Sequence, residues 1–171
     1  MEKINLIKLS EIDKNSIIIR RFENNDATEV SKLIIKTLQT SNIKDYCKSY
    51  IEESVLMHSP INIIKKASWT HFYVAILNNN IIGCGAIAPY YDKEDESFLS
   101  TIFVLPNYQQ NGIGKKIVEV LMKDIYYTRA KRIEIPSSIT ARDFYLKLGF
   151  NYKNGIDSVD DELLYRLEKF K

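Results

Sequence analysis

The first third of the chain combines one strand pattern with helical patterns. Residues 16–22 (SIIIRRF) have the composition of a β-strand. The apolar positions that follow share helical spacing and predict a first helix: Ala27, Val30, Leu33, Ile34 and Leu38. Asp26 fits its N-cap, with Glu29 completing a capping box. Residues 43–58 predict a second helix that a Ser-Pro dipeptide ends, and residues 61–69 fit a short helix.

In the middle of the chain, the spacing of apolar residues changes from that of helices to the alternation typical of β-strands. Residues 71–77 and 81–89 alternate as two strands, and three asparagines at 78–80 supply the turn of an antiparallel hairpin. Residues 92–96 are charged and predict a solvated loop. Residues 97–105 predict a third strand.

Helices and strands alternate again towards the C-terminus. A turn-rich loop at 106–114 leads into an apolar stripe that predicts a helix of about four turns: Ile113, Ile117, Val118, Leu121, Met122 and Ile125. Residues 132–135 predict a short strand, and 139–148 a helix that ends at Gly149. Two strands close the chain, residues 150–153 and 163–170. This order predicts a mixed sheet flanked by helices, an α/β or α+β fold.

Length and charge narrow the class of protein. The chain has 171 residues, of which 45% are hydrophobic and 27% charged. That length fits one domain, residues 1–171, with residues 1–14 as a peripheral N-terminal segment. A net charge of +2 disfavours nucleic-acid binding through phosphate neutralisation. We find neither a signal peptide nor an apolar run of the ~20 residues that cross a membrane, so we expect a cytoplasmic protein.

Cysteine and histidine are sparse. Cys47, Cys84, His58 and His71 form no known zinc-ligand spacing, so we expect no metal site. A hydrolase built from Cys84 and His71 is an alternative chemistry. Neither a nucleophile elbow nor a third orienting residue accompanies these two side chains, which argues against it.

A glycine-rich hexapeptide from Gly83 to Ala88 (GCGAIA) fits the loose dinucleotide-binding pattern G-x-G-x-x-A. That pattern needs a helix that opens directly after the glycines. Here Pro89 and two tyrosines follow, and the segment has the pattern of a strand. We interpret its small residues as positions where a neighbouring element packs closely.

A second glycine segment, from Gln109 to Gly114 (QQNGIG), follows a strand and opens the amphipathic helix. Glycines at this point let backbone N–H groups converge on an anion, and the helix N-terminus adds partial positive charge. Lys115 and Lys116 in the first turn oppose the helix dipole, which a bound phosphate would explain. A glycine-rich helix start without a ligand is the alternative.

A third segment, A-x-x-F-Y-x-K-x-G-F, begins at Ala141. Alone it describes an amphipathic helix with core aromatics and a glycine cap. Together with the Q-x-x-G-x-G pattern about thirty residues earlier, and with the strand TIFVLP that ends at Pro106, it resembles the GNAT superfamily of acetyl-CoA-dependent N-acetyltransferases. The resemblance covers about residues 16–169 and is strongest over 97–152. It implies an α/β (α+β) fold with a mixed, mostly antiparallel central sheet flanked by helices.

The resemblance also implies acetyl-CoA as cosubstrate and the residues that hold it. The pyrophosphate would be held by Gln109 and by the backbone N–H groups of the next residues: Gln110, Asn111, Gly112, Ile113, Gly114 and Lys115. A strand that splays from its neighbour would bind the pantetheine arm through its backbone: Ile102, Phe103 and Val104. The N–H of Ile102 would stabilise the oxyanion. Lys147 would reach the phosphates, and Ser138 stands where the family often has asparagine.

The resemblance assigns Tyr145 as the general acid that faces the thioester sulfur. A phenol with a pKa of about 10 would protonate a thiolate of pKa about 8.5 uphill by ~1.5 units, so donating a hydrogen bond is more favourable than full transfer. Phe98 stands where some members place a glutamate base. The alternative bases near that strand are Glu96, Glu94, Asp95 and His71, of which Glu96 is our candidate.

The implied activity is transfer of an acetyl group from acetyl-CoA to a primary amine, by direct attack in a ternary complex. We expect the acceptor region at residues 37–69, which carries four aromatic or imidazole side chains: Tyr46, Tyr50, His58 and Trp69. A closed pocket there would favour a small-molecule amine, and an open groove a protein lysine or N-terminus. A ping-pong route through Cys84 and a non-catalytic acyl-CoA-binding regulatory module are the alternatives. The protein would be a monomer or a homodimer.

Overall fold

One mixed β-sheet organises the fold. The computed structural model of the protein describes residues 16–171, so the predictions for residues 1–14 lie outside the described part. Seven strands in that part form the sheet in the order β1-β2-β3-β4-β5-β7-β6. They are β1 (Ile18–Arg21), β2 (His71–Leu77), β3 (Asn80–Tyr90), β4 (Lys93–Val104), β5 (Arg132–Ser137), β6 (Asn151–Tyr152) and β7 (Tyr165–Phe170). Only the β4–β5 pair is parallel, which confirms the predicted fold class.

Helices cover both faces of this sheet. The α-helices in the described part are α1 (Ala27–Thr40), α2 (Lys48–Met57), α3 (Pro60–Ala67), α4 (Ile113–Leu121), α5 (Ile125–Arg129) and α6 (Arg142–Lys147). Apolar residues of α4 and α5 pack on one face with Leu99 and Ile133. Those of α1, α2 and α3 pack on the other face with Phe72 and Val74. None of the helices between Ser16 and Lys171 has the length and hydropathy of a membrane span.

The glycine-rich hexapeptide lies inside β3 and serves close packing, as its strand pattern predicted. A β-carbon on Gly83 would lie 2.8 Å from Ile117 Cδ1, and one on Gly85 would lie 2.6 Å from Ile117 Cγ2. The two glycines therefore let α4 approach the sheet, and no helix opens after them.

We expect Gly83→Ala to destabilise the protein by about 1–3 kcal/mol, because the added methyl group overpacks this contact. Urea unfolding measures the change. Ile117→Val removes the Cδ1 atom that the new methyl would meet, so it should recover part of the loss in the double variant. Independent, additive effects of the two substitutions would contradict this account.

Two predictions about the middle of the chain were wrong. Residues 92–96 are not a loop, because β4 begins at Lys93 and pairs with β3 across a tight turn, with Lys93 opposite Tyr90. The predicted four-turn helix ends at Leu121, and Ile125 lies 62% exposed in the separate helix α5. The break follows from Asp124, whose carboxylate accepts a hydrogen bond from the Tyr126 N–H at 2.9 Å and so caps α5.

Several helix starts also differ from the predictions. The Asp26 side chain does not cap α1; it pairs with Arg20 at 2.7 Å and accepts a hydrogen bond from the Glu23 N–H. The helix predicted from residue 43 begins only at Lys48, after a short turn of 3₁₀ helix. The helix predicted from residue 139 begins at Arg142, although Gly149 ends it with the expected left-handed φ of 85°.

Candidate active site

A cavity opens where strands β4 and β5 part. The two strands pair only at residues 96–98 and 132–134, and beyond this point β4 leads to α4 while β5 leads to α6. The space between them belongs to a cavity of about 790 Å³, in the range of small-molecule sites. Its walls also include residues of α1, α2, α3, α6 and the loop before α4.

A β-bulge shapes β4 along this cavity. Cys84 pairs with Phe103 and Ala86 with Ser100, so the two residues between them, Thr101 and Ile102, face a single residue of β3. Thr101 has a left-handed φ of 54°. The bulge turns this stretch out of the regular ladder at the point where β4 has also lost β5. Residues 100–104 all line the cavity, and they include the predicted strand residues Ile102, Phe103 and Val104.

The loop before α4 lies on the cavity wall and leads into a helix start whose first N–H groups have no acceptor in the helix. Gly112 has a left-handed φ of 78°, which glycine adopts without strain. Gln110 also has a left-handed φ, of 62°. The first bond within α4 runs from the Lys116 N–H to the Gly112 carbonyl, at 3.0 Å. The N–H groups of residues 113–115 precede that bond, so the helix supplies no acceptor for them. Together with the helix dipole they suit a negatively charged group.

Two polar side chains of this loop form hydrogen bonds that stabilise it, and of the two only Gln109 lines the cavity. Gln109 donates from Nε2 to the Val104 carbonyl at 2.9 Å and accepts from Ser41 Oγ at 3.2 Å. Asn111 is buried, does not line the cavity, and donates to the Tyr108 and Gln109 carbonyls. The structure therefore places the Asn111 side chain away from the predicted ligand, because the loop itself uses its amide.

Three further predicted cofactor residues lie on the cavity wall. Lys115 and Lys147 are exposed and line the cavity from α4 and α6. Lys115 also lies 3.9 Å from the Glu119 carboxylate. Ser138 lines the cavity, and its hydroxyl accepts a hydrogen bond from the Ala141 N–H at 3.2 Å. This serine therefore holds the chain at the start of α6.

Tyr145 lies on the cavity wall at the divergence of the strands. Its side chain is only 3% exposed, and it packs edge-on against Phe144 and Phe150. Burial raises the pKa of Tyr145 above its ordinary value. Among residues 16–171 its hydroxyl forms no hydrogen bond. The phenol is therefore protonated at neutral pH and available as a donor.

Three of the four predicted acceptor side chains line the far end of the cavity: Tyr46, Tyr50 and His58. Tyr46 and Tyr50 stack with ring centroids 4.3 Å apart. The Tyr46 hydroxyl accepts from the Ile139 N–H at 2.8 Å and donates to the Leu163 carbonyl at 3.0 Å. Trp69 does not line the cavity; it is 53% exposed and lies beside Phe98.

The candidate bases chosen from the sequence lie elsewhere. None of the four lines the cavity: Glu96, Glu94, Asp95 and His71. Glu96 belongs to the paired part of β4 and forms ion pairs with Lys93 at 2.9 Å and Arg132 at 3.4 Å. His71 Nδ1 lies 2.7 Å from the Asp124 carboxylate on another part of the surface. Within residues 16–171 no cluster of three or more His, Cys, Asp or Glu is arranged to hold a metal ion.

The sequence pattern places His58 in the predicted acceptor region without indicating it as a base, and it does not single out Lys66; both residues line the cavity. His58 Nδ1 lies 2.7 Å from the Ser54 carbonyl. A carbonyl only accepts, so Nδ1 carries the hydrogen and Nε2 is an acceptor in the neutral ring. Burial, together with the nearby Lys66 ammonium, lowers the pKa of His58. No signal in the sequence separates His58 from His71, or Lys66 from the other lysines.

Comparison with known proteins agrees with this geometry. The model of the acetyltransferase (GNAT) domain family matches residues 68–152. A similar solved structure is the PaiA N-acetyltransferase of Thermoplasma acidophilum in complex with coenzyme A, with a TM-score of 0.78 and 17% identity over 91% of this chain and 99% of that one. No curated protein sequence matches at a significant level.

Two further solved structures share the fold. An acetyltransferase from Streptococcus agalactiae has a TM-score of 0.66 and 19% identity over 91% of this chain and 99% of that one. An acetyltransferase of the GNAT family from Staphylococcus aureus has a TM-score of 0.62 and 21% identity over 90% and 98%. At these identities the likeness establishes the fold alone.

The split sheet, and the glycine-started helix beside the split, belong to an α/β fold that the chain shares with solved acetyltransferases. The family match then identifies residues 68–152 as a GNAT acetyltransferase domain.

Proposed function

We propose that the protein transfers the acetyl group of acetyl-CoA to a primary amine of a small molecule, by direct attack in a ternary complex. One observation carries this proposal. A continuous cavity joins the anion-binding position at α4, the gap between β4 and β5, and the aromatic region at α1 and α2. Both substrates therefore have room in one space, as direct attack requires.

The α4 end of the cavity fits the pyrophosphate of acetyl-CoA. The N–H groups of residues 113–115 have no acceptor within the helix, and the Lys115 and Lys147 side chains add positive charge. A β-carbon on Gly114 would lie 3.3 Å from Phe144 Cζ, so glycine lets α6 approach α4 closely here. Gln109 would act indirectly, by holding the loop on β4.

The middle of the cavity supplies the reacting groups. The Ile102 N–H, in the bulge, would donate to the oxyanion that forms on the acetyl carbonyl. The Tyr145 hydroxyl would donate a hydrogen bond to the sulfur as negative charge builds there. His58 Nε2 would accept the proton that the amine loses. Acetyl-CoA supplies the acetyl group and the thiol leaving group.

The acceptor end favours a small molecule over a protein substrate. The Tyr46 hydroxyl links residue 139 to residue 163, so three separate segments meet at this end of the cavity. Glu162 and Leu164 line the cavity from beyond these ties. A protein lysine would need an open groove to reach the thioester. A peptide that outperforms every small amine would favour the alternative, a protein acetyltransferase.

Cys84 is unsuited to a ping-pong route. Its thiol is fully buried, does not line the cavity, and lies 3.3 Å from the Thr101 carbonyl. Burial raises the pKa of Cys84 to about 12, so the reactive thiolate is scarce at neutral pH. Cys47 and Cys84 form no disulfide, which is consistent with our proposal of a cytoplasmic location.

Titration calorimetry with acetyl-CoA, followed by thiol release with a panel of amines, tests the function. We expect binding of acetyl-CoA and thiol release with at least one small amine. Binding without release from any amine or peptide would favour the non-catalytic acyl-CoA module. Absence of binding would overturn the assignment of the α4 loop.

We expect Gly112→Val to raise the Kd for coenzyme A about tenfold or more. A β-branched residue at the left-handed φ of 78° introduces ~1–2 kcal/mol of backbone strain. The loop either bears this strain or shifts, and a shift would move the N–H groups that bind the phosphate. Gly155→Val is the matched control, because Gly155 has a φ of 72° with no atom within 4 Å of an added Cβ. The control should lose stability and keep its affinity; equal loss of affinity in both variants would contradict the role of Gly112.

A further inference from the structure

Lys66 brings an ammonium group to the cavity wall without a carboxylate partner. It lies in the last turn of α3, and its Nζ donates to Thr101 Oγ1 at 2.8 Å. Among residues 16–171 no carboxylate lies within ion-pairing distance of it. Burial lowers the pKa of Lys66. A desolvated cation in this position is costly unless a ligand supplies an anion.

The groups that surround Lys66 do not neutralise it. The Cys84 thiol interacts electrostatically with the ammonium, but burial raises the pKa of Cys84 to about 12, so the thiol stays neutral. Two carboxylates line the same cavity. Glu162 forms an ion pair with Arg166, and Glu53 lies on the exposed face of α2.

A second donor, one residue before the Thr101 that Lys66 contacts, has no hydrogen-bond partner. The Ser100 hydroxyl oxygen is buried, forms no hydrogen bond in the described part of the chain, and belongs to a residue that lines the cavity. Ser100 directly precedes Thr101, which Lys66 contacts. A buried hydroxyl left without a partner costs free energy. Two neighbouring donors on one cavity wall therefore suit a ligand with acceptor oxygens.

We propose that Lys66 and Ser100 bind a carboxylate of the acceptor, so that the acceptor is an amine with a carboxylate close to it, of the α-amino-acid class. This inference rests on the proposed function, because it names the class of amine that the cavity accepts. The Lys66 ammonium and the Ser100 hydroxyl donate to the two carboxylate oxygens.

The position of Lys66 relative to the reacting centre supports an adjacent carboxylate. Lys66 contacts Thr101, and the next residue, Ile102, carries the N–H that we assign to the oxyanion. In an α-amino acid a single carbon separates the amine nitrogen from the carboxylate carbon. The amine therefore reaches the acetyl carbonyl while the carboxylate reaches Lys66. An amine without a carboxylate leaves the Lys66 charge without a counter-ion and the Ser100 hydroxyl without a partner, and sites built for polar groups reject analogues that lack them.

The test measures binding and turnover separately, with matched ligands. Calorimetry on the protein saturated with coenzyme A compares amino acids with their decarboxylated counterparts: alanine and ethylamine, phenylalanine and phenethylamine, lysine and 1,5-diaminopentane. We expect at least one amino acid to bind about tenfold or more tightly than its counterpart. Thiol release with acetyl-CoA should follow the same order.

Lys66→Met removes the charge and keeps the length of the side chain. We expect it to abolish the difference within each pair and to leave coenzyme A binding unchanged. Without ligand its Tm should stay the same or rise, because an unpaired buried charge is replaced by an apolar group. Lys65→Met is the control, since Lys65 is exposed on the same helix and does not line the cavity. That control should keep the preference of the unmodified protein.

The outcomes separate this inference from the proposed function. Amino acids that bind through Lys66 without thiol release would support the carboxylate site and count against the enzyme. Equal binding within every pair, absence of amino-acid binding, or an unchanged preference in Lys66→Met would overturn the carboxylate site, even if another amine drives thiol release.

Discussion

We expect Tyr145→Phe to slow thiol release about 10²–10⁴-fold while leaving coenzyme A binding intact. The buried phenol forms no hydrogen bond within residues 16–171, so phenylalanine fits the same space and leaves no protein group unpaired. Burial raises the pKa of Tyr145, which makes full proton transfer to sulfur still less favourable than it is for an ordinary phenol. The lost contribution is therefore a hydrogen bond that strengthens as charge builds on the sulfur.

Tyr127→Phe is the matched control for this prediction. Tyr127 is also buried, with a pKa raised by burial, but it lies on α5 outside the cavity. Thiol release should be unchanged in this variant. Unfolding experiments on both variants separate catalysis from stability. Thiol release within about threefold of the unmodified rate in Tyr145→Phe would remove the tyrosine from the reaction, because a general acid contributes at least about 10²-fold.

Most of the sheet could be predicted because its signals are local. Strands β2 and β3 alternate around an asparagine turn, and Gly149 ends α6 at the predicted position. The break between α4 and α5 could not be predicted in this way. It depends on Asp124, whose carboxylate contacts His71 and Tyr73, 53 and 51 residues away. Such contacts have no local pattern in the sequence.

The cofactor half of the site could be predicted better than the acceptor half. Glycine at a helix start has a direct physical meaning, and Gly112 is the N-cap of α4. Lys65 and Lys66 are neighbours on α3, and of the two only Lys66 lines the cavity. In a helix of eight residues the spacing of apolar positions is too short to predict which of the two lysines faces the cavity. The charge of Glu96 made it a reasonable candidate for the base. In the structure β4 pairs with β5, and Glu96 forms an ion pair with Arg132 instead.

We expect His58→Gln to lower kcat/KM about 10²–10⁴-fold, as loss of a general base does. An unperturbed lysine-like amine is neutral only roughly once in 2,500 at pH 7, so the acceptor must lose a proton to react. His58 Nε2 is an acceptor because Nδ1 donates to the Ser54 carbonyl. The glutamine amide can still donate to that carbonyl, so the variant keeps the local structure and removes the base.

The pH dependence gives this prediction a second readout. Burial and the neighbouring Lys66 ammonium lower the pKa of His58, so the imidazole is neutral at pH 7 and becomes protonated only below its ordinary value of 6.5. The kcat/KM of the unmodified enzyme should therefore fall as the pH drops below that value, and His58→Gln should lack this acid limb. His71→Gln is the control, because His71 pairs with Asp124 away from the cavity. A variant at His58 that keeps both the rate and the acid limb would overturn the assignment of His58 as the base.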